Sequence, residues 1–304
     1  MPMNLQRLGL VGFGEVGRIF ASGLQPHMVA VSAWDTKFPA DVDGACTAAV
    51  AATVGVAESI ESLCVQSDWV ISAVTASNTL AVAQAAAPYM RAGMVYLDLN
   101  SASPGTKQQA AALIEATGAQ YVEAGVMTSV PPYGIRVPML LGGAQAQELA
   151  QRLNAMGMDA KAVSNDVGIA SAIKMCRSVM IKGLEALVIE SYTTARAYGV
   201  EDHVLPTLVE TFPSIDWGQA GAYFFSRVVQ HGQRRAEEMR ESANTVLETG
   251  FAPLMATAIA AKQQWVADQA RAGVFAGLPK GAVWQDYADA LLASRDASAA
   301  AVKS

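Results

Sequence analysis

The sequence has few residues that cross-link a chain or hold a metal ion. Only three cysteines and three histidines occur among its 304 residues, and they are Cys46, Cys64, Cys176, His27, His203 and His231. The cysteines are odd in number and far apart, and the histidines form no ligand spacing with them. We therefore expect neither a disulfide nor a metal site.

Charged residues and long apolar runs are scarce as well. Charged side chains make up 16% of the chain, the net charge is −6, and basic residues form no block except the short Arg234-Arg235 pair. This balance argues against nucleic acid and anionic membranes as partners, and it favours a small molecule. No run of about eighteen uninterrupted apolar residues is present for a membrane span, and the first strand begins too early for a signal peptide. We expect a cytoplasmic protein.

Three glycines follow the first apolar run at a specific spacing. The pattern Gly12-x-Gly14-x-x-Gly17 would make a tight strand-to-helix turn, leave room for a pyrophosphate and allow close helix packing. The N-terminus of the following helix would offer N–H groups and a positive dipole end to phosphates. An ordinary βα turn can have the same pattern. The predicted dinucleotide contacts are Gly12, Phe13, Gly14, Glu15, Val16 and Gly17.

A second apolar run ends at Asp35, eighteen residues after Gly17. A carboxylate at about this offset accepts hydrogen bonds from the adenosine ribose and repels a 2′-phosphate. Asp35 therefore favours NAD over NADP, whereas the nearby Lys37 weakens that preference and leaves NADP open. The alternative is a solvated acid that only caps the strand.

The first half of the chain alternates apolar runs of strand type with helical patterns. The runs lie near residues 28–33, 69–74, 94–99, 119–123 and 137–141, and helical segments such as 78–90 and 145–156 follow them. Alternation of this kind predicts a parallel sheet. Its last strand is expected near 159–163, so the sheet domain is predicted to cover residues 1–164.

The second half of the chain is helical in pattern throughout. A helix of about thirty residues is predicted over 168–198, interrupted only by Gly183 and closed by Gly199. Further helical segments follow near 202–212, 218–247, 253–271 and 283–295, with no convincing strand. The predicted fold class is α/β, a Rossmann-type doubly wound parallel sheet that a long interdomain helix joins to an all-α domain in residues 165–304.

Four segments, taken in order, resemble the motifs of one enzyme superfamily. They are residues 10–17, 97–104, 121–129, and Gly168 followed by Lys174 and Ser178. Together with the domain order they are similar to the β-hydroxyacid dehydrogenase superfamily, which includes 6-phosphogluconate and 3-hydroxyisobutyrate dehydrogenases. The helical half, with residues 231–239, resembles a phosphogluconate-dehydrogenase-like branch to which the likeness assigns no substrate.

The resemblance implies an NAD(P)-dependent dehydrogenase. Such an enzyme moves a hydride between the nicotinamide and the hydroxyl carbon of a small substrate, here a 3-hydroxy acid or a β-hydroxy amino acid. Lys174 would be the general acid/base, with Ser178 beside it. The implied cofactor residues are Val74, Thr75 and Asn100, and the implied substrate residues are Ser101, Thr128 and Ser129. A homodimer is also expected, because long apolar helices would otherwise stay exposed.

Lys174 can act as both acid and base if burial and like charges bring its pKa towards neutrality. Arg177 and Lys182, one and two helical turns further on, are candidate neighbours. The alternative is a surface lysine on a long helix. The mostly apolar residues around Lys174 favour the catalytic interpretation.

Three positions depart from the superfamily's motifs. Ser178 stands where asparagine is usual, and Met127 stands where serine is usual, so a substrate carboxylate would fall to Thr128, Ser129 or backbone N–H groups. Ile181 stands where the phosphogluconate enzymes have a general-acid glutamate, which disfavours decarboxylating sugar-phosphate chemistry. Two other functions stay open. One is an imine reductase on the same scaffold, against which Lys174 counts, and the other is a non-catalytic NAD-sensing protein.

A further set of side chains recurs every four residues in the helical half. Its members, which share one helical face, are Tyr223, Arg227, His231 and Arg235. Arg227 or Arg235 would bind a substrate carboxylate, and His231 would hydrogen-bond or move a proton. The alternative is a solvated face whose arginines pair with neighbouring glutamates.

Overall fold

The computed structural model describes residues 6–303, and it describes side chains for residues 6–297. The chain divides into two compact units, Met1–Cys176 and Arg177–Ser304, which we call the sheet unit and the helical unit. One helix of 30 residues, Ile169–Tyr198, contains the division between them. Over the described residues, no helix is both long and apolar enough to span a membrane.

The sheet unit is built on one eight-stranded sheet. Its strands are β1 (Arg7–Val11), β2 (Ala30–Trp34), β3 (Gly55–Val56), β4 (Trp69–Ser72), β5 (Val95–Asp98), β6 (Gln120–Val126), β7 (Pro138–Gly142) and β8 (Asp159–Ser164). The spatial order is β3-β2-β1-β4-β5-β6-β7-β8. After β3 the chain returns to the middle of the sheet, where β4 pairs with the free side of β1. This is the predicted doubly wound arrangement.

Strand β7 is an exception to the predicted parallel sheet, because it pairs with β6 in the antiparallel direction. A parallel neighbour needs a crossover connection, usually a helix. Only a short 3₁₀ turn, Gly134–Arg136, lies between β6 and β7. The connection can therefore only turn the chain back, and the alternation of apolar runs did not reveal this.

Six helices cover the sheet: α1 (Glu15–Leu24), α2 (Ala45–Ala51), α3 (Ile60–Gln66), α4 (Thr79–Ala86), α5 (Pro104–Glu115) and α6 (Ala146–Ala155). Alternate side chains of each strand enter two different cores. Leu10, Ile71 and Leu97 belong to one cluster, whereas Val70 and Tyr96 belong to the other. Because both faces of the sheet are covered, its strands are apolar throughout, as the sequence shows.

The helical unit contains the rest of α7 (Ile169–Tyr198), followed by α8 (Glu201–Thr211), α9 (Trp217–Glu248), α10 (Leu254–Arg271) and α11 (Trp284–Lys303). Helices α9 and α10 approach closely at Gly232, where a Cβ atom would lie 2.8 Å from the Gln263 carbonyl oxygen. An aromatic core surrounds Tyr192, Trp217 and Phe225. The helices occur where the sequence predicts them, and α11 extends beyond its predicted end at residue 295.

Candidate active site

The glycine loop connects β1 to α1, and two of its glycines are required by the backbone. Gly12 has φ +93°, and a Cβ atom there would lie 2.5 Å from the Ala73 carbonyl oxygen. A Cβ atom at Gly17 would overlap the carbonyl oxygen of Gly12. At Gly14, by contrast, no heavy atom lies within 4 Å of the Cβ position. The loop therefore packs tightly against the protein backbone at Gly12 and Gly17, and it leaves free space beside Gly14.

The start of α1 fits a pyrophosphate. Gly14 is the N-cap of the helix, and no side chain caps it, so the backbone N–H groups of the first turn are left for a ligand. The residues present thus match the needs of a dinucleotide, which are a close backbone approach and a positive dipole end.

Asp35 lies directly after β2 and binds the glycine loop. Its Oδ2 accepts a hydrogen bond from the Phe13 N–H at 2.7 Å, and its Oδ1 accepts one from the Lys37 N–H at 2.9 Å. Each carboxylate oxygen still has a second lone pair for a ribose hydroxyl. Two cations lie nearby, because Arg18 Nε donates to the Phe13 carbonyl at 3.2 Å and Lys37 pairs with Asp43 at 2.6 Å.

Asn100 connects the ends of β4 and β5. Its side-chain Nδ2 donates to Ser72 Oγ at 2.9 Å, and its Oδ1 accepts from the Val74 N–H at 2.7 Å. The side chain is buried, being 3% exposed. Val74 is half-buried beside it, and Thr75 is exposed. Asn100 therefore holds the backbone at the carboxyl ends of two neighbouring strands, where ligands of such sheets bind.

A buried ion pair supports this loop, and no local pattern in the sequence predicts it. Asp98 and Lys107 are both 0% exposed, and their Oδ1 and Nζ atoms lie 2.8 Å apart. The Tyr121 hydroxyl donates to Asp98 Oδ2 at 2.6 Å, while the Asn100 N–H donates to Oδ1 at 2.8 Å. Burial and the Asp98 carboxylate raise the pKa of Tyr121 well above its usual value, so the phenol stays a donor.

Lys174 lies on the first part of α7 and is directed to the loop after β5. Its Nζ donates to Ser101 Oγ at 2.5 Å, and both residues are half-buried. Gly125 of β6 lets the helix come close, since a Cβ atom there would lie 2.9 Å from the Ala170 carbonyl and 3.5 Å from Lys174 Cβ. The structure thus brings together two of the predicted residues, Lys174 and Ser101.

Glu123 fixes the beginning of that helix. Its side chain is 0% exposed, and Oε1 accepts from the N–H groups of Gly168 at 2.7 Å and Ala170 at 2.9 Å. Oε2 accepts from the Ser171 hydroxyl. A carboxylate at a helix N-terminus satisfies unpaired N–H groups and interacts favourably with the helix dipole. Glu123 is thus the N-terminal cap of α7. It lies on β6, more than forty residues before the helix in the sequence.

Thr128 and Ser129 follow β6, as predicted. Thr128 is exposed and Ser129 is half-buried. The preceding residue, Met127, continues the strand pairing through its N–H, which donates to the Pro138 carbonyl at 2.9 Å. The substrate roles of Thr128 and Ser129 remain predictions.

In the helical unit, Ser178 and Lys182 lie one turn apart on α7. Lys182 Nζ donates to Ser178 Oγ at 3.2 Å and pairs with Glu238 Oε2 at 2.9 Å. Lys182 follows Lys174 by eight residues, which is about 12 Å along a helix. Its charge is neutralised by Glu238, so the expectation that Lys182 adds a close like charge to Lys174 is not supported.

Arg235 lies in neither of the two environments that the sequence predicts, a substrate site or a solvated helix face. It is only 7% exposed and forms a bidentate ion pair with Glu185, which is 2% exposed. Gln263 Nε2 donates to the same carboxylate at 3.3 Å. A guanidinium held in this way is part of the packing between α7 and α9, so neither the substrate-binding nor the solvated interpretation describes it. The predicted roles of Arg227 and His231, which are half-buried earlier on α9, are unaffected.

Two family models match this chain. The NAD binding domain of 6-phosphogluconate dehydrogenase matches residues 7–163, and DUF1932, a domain of unknown function, matches residues 195–266. A conserved hypothetical protein from Sinorhizobium meliloti 1021 is 36% identical, with 95% of this chain and 96% of that chain covered and a TM-score of 0.76. A conserved protein described as structurally similar to 3-hydroxyacid dehydrogenases is 31% identical, with 88% and 98% covered and a TM-score of 0.66.

Two more distant structures share the fold. The 3-hydroxyisobutyrate dehydrogenase of Mycobacterium tuberculosis, solved with L-serine, is 16% identical over 88% of this chain and 96% of that chain, with a TM-score of 0.70. A reductive aminase from Aspergillus terreus, solved with NADPH and ethyl levulinate, is 18% identical over 94% of this chain and 98% of that chain, with a TM-score of 0.57. The first domain binds NAD(P). The chain belongs to the β-hydroxyacid dehydrogenase superfamily.

Proposed function

We propose that this protein is an NAD(P)-dependent dehydrogenase that acts on the hydroxyl carbon of a small 3-hydroxy acid or β-hydroxy amino acid. Lys174 is the general acid/base. The observation that carries the proposal is the hydrogen bond from Lys174 Nζ to Ser101 Oγ, at the carboxyl end of β5. It directs a half-buried amine to the edge of the sheet at which the cofactor domain binds its ligand.

The residues of this chain move one proton. The glycine loop and Asp35 would hold NAD(P), whose nicotinamide ring would supply the hydride acceptor or donor. In the oxidative direction Lys174 takes the proton of the substrate hydroxyl, and in the reductive direction it returns that proton to the carbonyl oxygen. Ser101 orients the amine through their hydrogen bond, and Glu123 holds the helix that carries Lys174. Thr128 and Ser129, at the end of β6, bind the substrate's carboxylate.

The test is turnover by wild-type protein and by Lys174→Ala, with Lys161→Ala as a matched control because Lys161 is exposed on β8 of the same unit. The substrates are 3-hydroxyisobutyrate, L-serine and related 3-hydroxy acids, each with NAD and NADP, followed by nicotinamide absorbance. We expect Lys174→Ala to lose about 10²–10⁴-fold in kcat while cofactor affinity stays within about twofold. Lys161→Ala should retain full activity.

The same experiment separates the other candidate functions. Activity that survives in Lys174→Ala refutes the acid/base role. Reduction of imines in preference to carbonyl compounds identifies an imine reductase. Cofactor binding without turnover of any alcohol or imine identifies an NAD sensor.

A homodimer is part of the proposal. Large apolar side chains stay exposed in the helical unit, among them Met180 at 74% and Leu187 at 57% on α7, and Leu254 at 76% on α10. Apolar groups of this size favour burial against a second copy. Light scattering after size exclusion should give twice the mass of one chain, and a single-chain mass refutes the dimer.

A further inference from the structure

The loop after β2 brings a lysine and a second aspartate together beside Asp35. The Lys37 N–H donates to Asp35 Oδ1 at 2.9 Å, and Lys37 Nζ pairs with Asp43 Oδ2 at 2.6 Å. In sheets of this type the carboxylate after the second strand binds the adenosine ribose, and a nearby basic side chain accommodates the 2′-phosphate of NADP. Lys37 is such a side chain, and Asp43 neutralises its charge.

The fold of the loop brings Asp43 to Lys37. The Val42 N–H donates to the Lys37 carbonyl at 3.0 Å, so the backbone closes on itself between the two charged residues. Phe38 is buried and packs edge-on against Phe13 of the glycine loop, with the ring centroids 5.8 Å apart. The beginning of the loop is therefore attached to the cofactor domain's core.

The other end of the loop is attached to helix α2. Asp41 Oδ1 accepts from the N–H groups of Cys46 at 2.7 Å and Thr47 at 3.0 Å. Asp43 has φ +55°, a left-handed conformation that aspartate adopts more readily than most residues. Exposed ion pairs usually contribute little, because holding two free side chains together costs entropy. Here the backbone on both sides of the pair is fixed.

Four charges meet at this end of the sheet. Arg18 is the second cation, and its Nε donates to the Phe13 carbonyl at 3.2 Å. The hydrogen bond to Asp43 raises the pKa of Lys37, and the same bond lowers the pKa of Asp43, so both groups stay charged at neutral pH. The charges of Arg18 and Lys37 are cancelled by those of Asp35 and Asp43. The region thus offers no net positive charge to a phosphate.

We propose that Asp43 is a specificity-determining residue, which makes the protein prefer NAD by keeping Lys37 from a 2′-phosphate. To bind NADP, Lys37 would have to leave Asp43, and that carboxylate would lose its cation close to the phosphate. NAD has only hydroxyl groups on this ribose, from which Asp35 can accept hydrogen bonds while Lys37 stays in place. The inference rests on the cofactor domain and not on the proposed reaction.

Binding of NADH and NADPH, which differ only in the 2′-phosphate, tests the inference without turnover. Dissociation constants are measured by nicotinamide fluorescence at low ionic strength, because salt screens exposed charges. We expect the wild type to bind NADH more tightly than NADPH. Asp43→Asn, which keeps the shape of the side chain, should tighten NADPH binding about threefold to tenfold, the scale of one exposed charge interaction with a phosphate, and leave NADH binding within about twofold.

Three further variants separate the release of Lys37 from other effects. In a Lys37→Met background no lysine can be released, so Asp43→Asn should change NADPH binding less than about twofold. Asp43→Gly removes the same charge with a residue that adopts positive φ freely, and it should give the same ratio of constants as Asp43→Asn. Asp159→Asn removes an exposed acid from β8, at the far edge of the sheet, and should leave that ratio unchanged.

Several results would overturn the inference. One is a wild type that prefers NADPH or binds neither dinucleotide. Another is an unchanged ratio of the two constants in Asp43→Asn and Asp43→Gly. A gain in NADPH binding that is equally large in the Lys37→Met background would show that Asp43 does not act through Lys37. Failure of the proposed function is a different result, namely no turnover by wild type or full turnover by Lys174→Ala, with these binding constants as expected.

Discussion

Glu123→Gln should loosen the start of α7 and displace Lys174. The carboxylate accepts three hydrogen bonds at a fully buried position, from Gly168, Ala170 and Ser171. Glutamine has the same shape, but it has one acceptor oxygen and no charge. Its oxygen can keep the two backbone N–H groups, and the Ser171 hydroxyl can rotate to accept from its NH₂. The loss is then the charge-assisted part of these bonds and the interaction with the helix dipole, together about 2–4 kcal/mol.

Hydrogen exchange is the suitable assay, because a chain of two units need not unfold in one step. A loss of about 2–4 kcal/mol corresponds to roughly 30-fold to 1000-fold faster exchange of amides at the start of α7, where opening is local. We also expect kcat/KM to fall about tenfold or more, because small displacements of a catalytic group are costly. Glu115→Gln is the control, since Glu115 is exposed at the end of α5. Unchanged exchange together with wild-type kcat/KM would show that Glu123 does not hold this helix.

Three other outcomes are expected in the sheet unit. Lys107→Met leaves a fully buried carboxylate without its cation and should cost about 3–5 kcal/mol, measured as a lower melting temperature; an unchanged melting temperature contradicts this. Gly14→Ala should keep the fold but weaken NAD binding, whereas Gly17→Ala should destabilise the unit, and titration with thermal melting separates the two. Burial raises the pKa of the Cys64 thiol to about 12, so at pH 8 iodoacetamide should label the exposed Cys176 and leave Cys64 unmodified until the protein unfolds.

Much of the fold follows from local patterns. Apolar runs and helical periodicity predicted the strands near the observed positions, and one helical pattern, interrupted only by Gly183, predicted the 30-residue helix α7. The glycine loop and Asp35 were recognisable because their function depends on spacing within one βαβ segment. For residues 36–68 no helix or strand was predicted from the sequence. In the structure this segment forms the short elements α2, β3 and α3. Short elements of this kind depend on packing more than on their own pattern.

What the sequence by itself determined is the class of fold, the cofactor domain and the lysine on the long helix. The tertiary structure decided the direction of β7, the burial of Arg235 against Glu185, and the supports that Glu123 and Asp98 provide. The physical reason is the range of each interaction. A turn or a helix face is specified by residues a few positions apart, whereas Glu123 and Gly168 are 45 positions apart and meet only once the strand and the helix have packed.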